Sequence, residues 1–422
     1  MYKHFVISIC FCFFVAFYSC SREEYEQIQT TAPDIQTLTN NIFPKTYPKI
    51  KHTSDFPIVA WGGIPSDNLS VERFVELRES GININLTSFE NADQVQQALD
   101  LGKETGVKIL IRCPEIRTSP KDIAKRFMHH AATFGYYVVD EPSIAALGPE
   151  QNIINSIRTI DSTHYCYVNL YPDYATNDQL GTSNYTEYIE KVIQNLSLNL
   201  LSFDYYPIIN GNYLRNSWYS NLEIIRNKSI TFGIPFWAFA LTTSHSIYPI
   251  PTIQHIRLEV YSDLAYGAKG IQYYTYWTKN SPNFQYISGP IEKDGTRTVV
   301  YDIIKQVNSE INAYADIFLS VKVVNVGHYG KFIPKGAQKF TTFPNFVKAI
   351  DIKCNTALIS EMENDSNSFL MIQNNDLTTP IEVNITVDAD TKLVLKNGSI
   401  IPFSLINKPF KIESGDMVMF MK

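Results

Sequence analysis

Gly135-Tyr136-Tyr137-Val138-Val139-Asp140-Glu141-Pro142 is an apolar run that stops on two adjacent acids and a proline. A strand buried on both faces reads as a continuous hydrophobic run, and a proline, lacking a backbone donor, ends sheet pairing. Two carboxylates directly after such a strand are costly unless they are solvated or used. Outward from this run, toward the N-terminus, lie FPIVAW (56–61), ININL (82–86) and VKILIR (107–112). Toward the C-terminus lie HYCYVNL (164–170), LLSFDYY (200–206), ITFGIPFWAFA (230–240) and IQYYTYW (271–277). With the first run they make eight strand candidates.

Helical patterns separate them: Val71 to Ser80, Ala92 to Thr105, Lys121 to Thr133, Glu150 to Ile160, Tyr185 to Leu196, Leu214 to Asn227, Thr252 to Tyr266 and Val299 to Tyr314. Ser70 stands where a helix should start, and Gly81 and Gly106 where helices should stop. Eight strand-then-helix units with doubly buried strands predict a closed parallel (β/α)8 barrel. An open doubly wound sheet is the alternative, but Trp61-Gly62-Gly63-Ile64-Pro65 after the first strand lacks dinucleotide-loop spacing. From about Leu319 short alternating runs such as SFLMIQN, IEVNITV and TKLVLKNG predict a small antiparallel β-sandwich, so the expected domains are a barrel over 51–318 and a β-sandwich over 319–422.

The first twenty residues carry Lys3, an apolar run from Phe5 to Phe17, and Tyr18-Ser19-Cys20. That is the layout of a secretory signal, too short to span a membrane comfortably. A small residue before Cys20 resembles the lipobox of bacterial lipoproteins, and Ser-Arg-Glu-Glu-Tyr-Glu after it resembles the acidic export tag of surface lipoproteins in glycan-degrading Gram-negative bacteria. The expectation is a signal over 1–20, lipidation at Cys20, a flexible tether over 21–50, and export to the outer membrane with possible exposure at the cell surface.

Composition closes off several functions. The chain has 422 residues, is 45% hydrophobic and 13% aromatic, and carries a formal charge of -6. No Lys/Arg cluster is present, which argues against a nucleic-acid partner. Cys113, Cys166 and Cys354 are scattered and form no disulfide framework. His129 and His130 are adjacent and so diverge on a helix, and no zinc-type spacing occurs, so neither metal nor cofactor is expected.

In a closed barrel the C-terminal strand ends converge on one pocket. Read for carboxylates, they offer Asp140 and Glu141 after strand four and Asp204 after strand six, in Ser202-Phe203-Asp204-Tyr205-Tyr206. Read for sugar-stacking aromatics they offer Trp61, Tyr205, Trp237, Tyr274 and Trp277, because the apolar faces of sugar rings pack on indole and phenol rings. Asn85, Arg112 and Asn169 are polar candidates for hydroxyl recognition.

Barrel, G-Y-x-x-x-D-E-P motif and β appendage together resemble the clan of TIM-barrel glycoside hydrolases related to β-galactosidases. The resemblance implies that Glu141 is the general acid/base of a glycosidase acting on an oligo- or polysaccharide. Clan members usually place Asn before that Glu, where this chain has Asp140, and retaining members place a second Glu on strand seven. Here Phe236-Trp237-Ala238-Phe239-Ala240-Leu241-Thr242-Thr243-Ser244-His245 holds no acid. Three mechanisms stay open: retention, inversion with Asp204 as base, and substrate assistance with Asp140 orienting an acetamido group, since the Asp-Glu pair also resembles hexosaminidases. The other class of function is a glycan-binding surface lipoprotein on a degenerate barrel.

Overall fold

The computed structural model describes residues 31–40 and 47–422. The expected signal and Cys20 lie outside the described residues. Eight parallel strands form one sheet: β1 (Ile58–Trp61), β2 (Ile84–Leu86), β3 (Lys108–Ile111), β4 (Thr133–Asp140), β5 (Tyr165–Asn169), β6 (Leu201–Phe203), β7 (Phe236–Leu241) and β8 (Ile271–Tyr274). Their order is β5-β4-β3-β2-β1-β8-β7-β6. A parallel bridge between Leu170 and Phe203, with Leu170 N donating to Ser202 O at 2.8 Å, joins the two outer strands and nearly closes a TIM-like barrel.

Local chemistry sets the intervening helices. Ser70 accepts from Arg73 N to start Val71–Glu79, and Asn91 accepts from two backbone amides to start Ala92–Thr105. Gly106 ends the latter at φ 77°, a left-handed cap that glycine adopts freely. Some expected boundaries were wrong: the helix expected over Lys121 to Thr133 ends at Phe127, with Thr133 already in β4, and the one expected from Leu214 starts at Trp218. Residues 230–232 are the last turn of a helix running Trp218–Phe232, and strand β7 begins only after the turn Gly233–Pro235. The apolar run there joined a helix end to a strand, and periodicity cannot tell one short buried segment from the next.

Alternate strand residues divide two cores. Trp61, Leu110, Tyr137, Tyr167, Phe239 and their neighbours fill the barrel interior. The opposite faces pack beneath the helices. After the helix Val299–Ala313, the chain forms a six-stranded and a three-stranded antiparallel sheet that enclose a second core. In the strand Ser368–Gln373, Leu370 and Ile372 point into that core while Phe369 and Met371 point to the barrel. The β domain seats on the barrel helix Ile253–Tyr266, where Ser360 Oγ donates to Ala265 O and Gln373 Nε2 to Leu258 O.

The described portion of the expected tether is docked rather than free. Ile35 is buried in the β-domain core, Lys411 N donates to Pro33 O, and Ile50 N donates to Gly398 O. A polar segment with a few apolar residues can still be pinned by backbone bonding to a sheet edge, which its composition does not show.

Candidate active site

Strand β4 carries an irregularity that aims the acids. Its register on β5 pairs Tyr137 with Tyr167, then Val139 with Val168 and Asp140 with Asn169, so one residue is extra between Tyr137 and Val139. Val138 and Val139 consequently both pack outward, and Asp140 shares the lumen face with Tyr137. A bulge re-aims side chains in this way. Glu141 follows at φ 46°, a left-handed conformation that is uncommon for a residue with a side chain and clusters at functional sites. Its amide donates to Asn169 O at 2.9 Å, and Pro142 O accepts from Tyr188 Oη at 2.9 Å, so the turn is held on both sides.

Two carboxylates share one side-chain amide here, next to Glu141. Asn169 Nδ2 donates to Asp140 Oδ1 and to Asp204 Oδ1, each at 3.1 Å. Glu141 lies close enough to Asp204 and Asp140 to feel the charge of both. Burial, then the charges of Asp204 and Asp140, push Glu141 well above the usual carboxylate range. Burial and Asp140 push Asp204 up as well, against the bonds from Asn169 and Glu141. Asp140 is raised by burial, opposed by Asn169, Arg112 and Lys279, although its side chain is open to the mouth.

A directional chain of donors fixes Asn169 from below. Tyr167 Oη donates to Gln272 Oε1 at 2.5 Å, Gln272 Nε2 to Ser202 Oγ at 2.8 Å, and Ser202 Oγ to Asn169 Oδ1 at 2.9 Å. With its oxygen occupied, the Asn169 amide must turn its N–H groups toward the acids. All four residues are buried, so each bond is made in a low dielectric where leaving it unmade is expensive.

The expected aromatic and polar residues divide. Tyr274 faces the lumen, its hydroxyl 3.0 Å from Tyr286 Oη and accepting from Lys279 Nζ at 3.0 Å. Trp277 is 6% exposed and lines a cleft of about 450 Å³ together with Trp61 and with Arg112 and Lys279, whose charges reach Asp140. The Trp61 ring is otherwise packed among Tyr137, Tyr167 and Phe239, as a barrel-core residue. Arg112 lies over the Tyr137 ring, 4.3 Å from its centroid, and forms no ion pair with Glu141.

Three expected site residues point elsewhere. Asn85 faces out of the barrel, and its Oδ1 accepts from Ile64 N at 3.0 Å, bracing the β1 loop. Tyr205 also points outward, with its hydroxyl 2.8 Å from Ser217 Oγ; strand alternation gives the lumen to Tyr206 instead. Trp237 sits near the start of β7, packed on Phe134 and Tyr165, far from the strand's C-terminal end. Sequence reading missed Tyr206 and Lys279; parity with Asp204 and position just past strand eight were the available signals.

No lumen carboxylate comes from β7. Thr242 and Thr243 follow it, both buried and both donating to Thr275 O. The nearest acid, Glu259 on the helix Ile253–Tyr266, spends its carboxylate on Leu241 N at 2.7 Å behind the strand. Among the described residues no group of His, Cys, Asp and Glu is arranged to hold a metal ion.

No family model matches the chain, and no curated protein sequence matches it. Solved structures do. A β-galactosidase from Bacillus circulans sp. alkalophilus superposes with TM-score 0.58 at 8% identity over 87% of this chain and 99% of that one. A glycoside hydrolase family 5 protein from Bacteroides vulgatus gives 0.53 at 11%, covering 87% and 88%. The chain spans 62% of the length of a β-galactosidase from Marinomonas ef1, at 10% identity over 63% of this chain and TM-score 0.49. At such identity the likeness is one of fold: this is a barrel of the kind found in glycoside hydrolases, with antiparallel sheets at its C-terminus.

Proposed function

We propose that the protein is a glycoside hydrolase that cleaves an O-glycosidic bond in an oligo- or polysaccharide, with Glu141 as general acid. The observation that carries this is Glu141 held in a left-handed turn at the end of β4, half-buried beside the charges of Asp204 and Asp140. An acid that protonates a leaving oxygen near neutral pH needs a raised pKa, and burial with two like charges supplies it. When the glycosidic oxygen takes the proton from Glu141, positive charge grows on the sugar ring beside Asp204 and Asp140. These are the carboxylates within reach to stabilise that charge or to activate water, because β7 brings none. Standard retention with a strand-seven nucleophile has no residue to perform it.

The test is turnover of a glycan panel by the wild type and by Glu141→Gln. Turnover lost in the variant, except with aryl glycosides whose leaving groups need no proton, supports the acid role; unchanged turnover refutes it. Proton NMR of fresh product then reports inversion or retention, which separates a water-activating base from an internal or substrate-borne nucleophile. The empty strand-seven end favours one other reading, a glycan-binding protein without turnover; it would bind equally well with Gln at position 141 and cleave nothing. We also propose that the chain is exported and anchored in the bacterial outer membrane through Cys20, on the strength of the apolar run and the Ser19-Cys20 junction.

A further inference from the structure

The cleft that Trp277 lines has an electrical character opposite to that of the carboxylates. Its lining includes Arg112, Lys279 and Lys293 but a single acid, Asp67, whose Oδ1 accepts from Asn68 Nδ2. Among the described residues none of the three cations has an ion-pair partner. Lys279 spends one donor on the neutral Tyr274 hydroxyl. Arg112 sits over Tyr137, its Cζ 4.3 Å from the ring centroid, and among the described residues its guanidinium donates no hydrogen bond. Lys293 is exposed on the rim.

These charges are not placed to neutralise the catalytic acids by contact, since Asp140 takes its hydrogen bond from Asn169 and feels Arg112 and Lys279 only through space. Burial brings Lys279 down to about 8; Asp140 opposes that shift and Arg112 adds to it, so the two cations repel each other across the cleft. A neutral sugar could accept hydrogen bonds from these cations but would leave their mutual repulsion in place. An oxyanion between them would relieve the repulsion and accept a bidentate pair from Arg112.

We propose that this cleft is a subsite for an anionic substituent, a uronate carboxylate or a sulfate ester, on the sugar adjoining the bond that Glu141 attacks. The proposal rests on the glycosidase reading for its position but not for its chemistry. The edges of Trp61 and Trp277 reach the cleft wall, and the cations would take the charged arm of the sugar.

Ligand-observed NMR on Glu141→Gln at low ionic strength tests it without turnover. The probes are glucuronic and galacturonic acids, the 6-sulfates of glucose and galactose, and the two neutral parents. Expected is at least about tenfold tighter binding of one acidic series than of its parent, weakening with salt. The series that binds says whether carboxylate or sulfate is read. Arg112→Gln and the surface change Lys293→Gln should each weaken acidic binding several-fold, and Lys293→Gln should leave neutral binding unchanged. Equal binding of parents and acids, no binding by either acidic series, or indifference to both substitutions overturns the proposal. Acid binding without any turnover by the wild type would instead leave the subsite standing and remove the hydrolase reading.

Discussion

Glu141→Gln should make the protein inactive and, at alkaline pH, more stable. Glu141 is held in a left-handed turn against Asp204, with Asp140 nearby and its cations at a distance. Two like charges roughly 4 Å apart at an effective dielectric of about 20 repel by about 4 kcal/mol. The bonds from Asn169 and the through-space pull of Arg112 and Lys279 offset some of this, leaving an expected net cost of about 1–2 kcal/mol when the cluster is fully ionised. The folded pKa of Glu141 lies above its unfolded value of about 4.3. The folded state therefore binds the extra proton, and its stability falls as pH rises through the interval between the two values. Glutamine has no proton to lose. The difference between variant and wild type should thus be near zero at pH 4 and grow to about 1–2 kcal/mol above pH 8, a rise of roughly 1–4 °C in Tm. Thermal unfolding at several pH values measures it. A variant destabilised equally at every pH would refute the reasoning, because it would mean that Glu141 stabilises the fold through packing.

Asp204→Asn removes the neighbour whose charge helps raise Glu141, so the alkaline limb of any residual activity should move to lower pH by roughly one to two units; an unmoved limb in the pH profile would detach Glu141 from Asp204. Asn169→Leu keeps the volume but strips the donor from Asp140 and Asp204 and strands Ser202, so denaturant unfolding at pH 7 should show a loss of about 2 kcal/mol or more, smaller at acid pH. Gly63→Ala drives a methyl into Asn85 Oδ1, far inside contact distance, which should cost at least about 2 kcal/mol in the same assay, with Gly148→Ala, whose Cβ meets nothing, as the neutral control. Fatty-acid labelling of the protein in a Gram-negative host should be present in the wild type and absent in Cys20→Ser.

Much of the architecture was legible in the order of residues. Eight doubly apolar runs alternating with 3.6-period segments require parallel strands with helices outside them, and Ala92–Thr105 and Tyr185–Leu196 have the predicted bounds because Asn91, Gly106 and Asn184 carry their own stop and start chemistry. The switch to two-residue alternation after Leu319 marked the antiparallel sheets for the same reason. The site was legible only as a set of strand ends. Which side chain at an end faces the lumen depends on parity, and parity depends on register: the extra residue in β4 brings Asp140 inward, and normal alternation in β6 gives the lumen to Asp204 and Tyr206 and turns Tyr205 away. A bulge leaves no mark in hydrophobicity, since Val138 and Val139 suit either face. The meeting of Asp140 and Asp204 on one asparagine next to Glu141, the spending of Asn85 on a loop and of Glu259 on a backbone amide, and the cations gathered from β3 and the loop after β8 are contacts between segments distant in sequence. Barrel closure alone brings those segments within hydrogen-bond reach, so tertiary structure decided the chemistry of the pocket whose position the sequence had already marked.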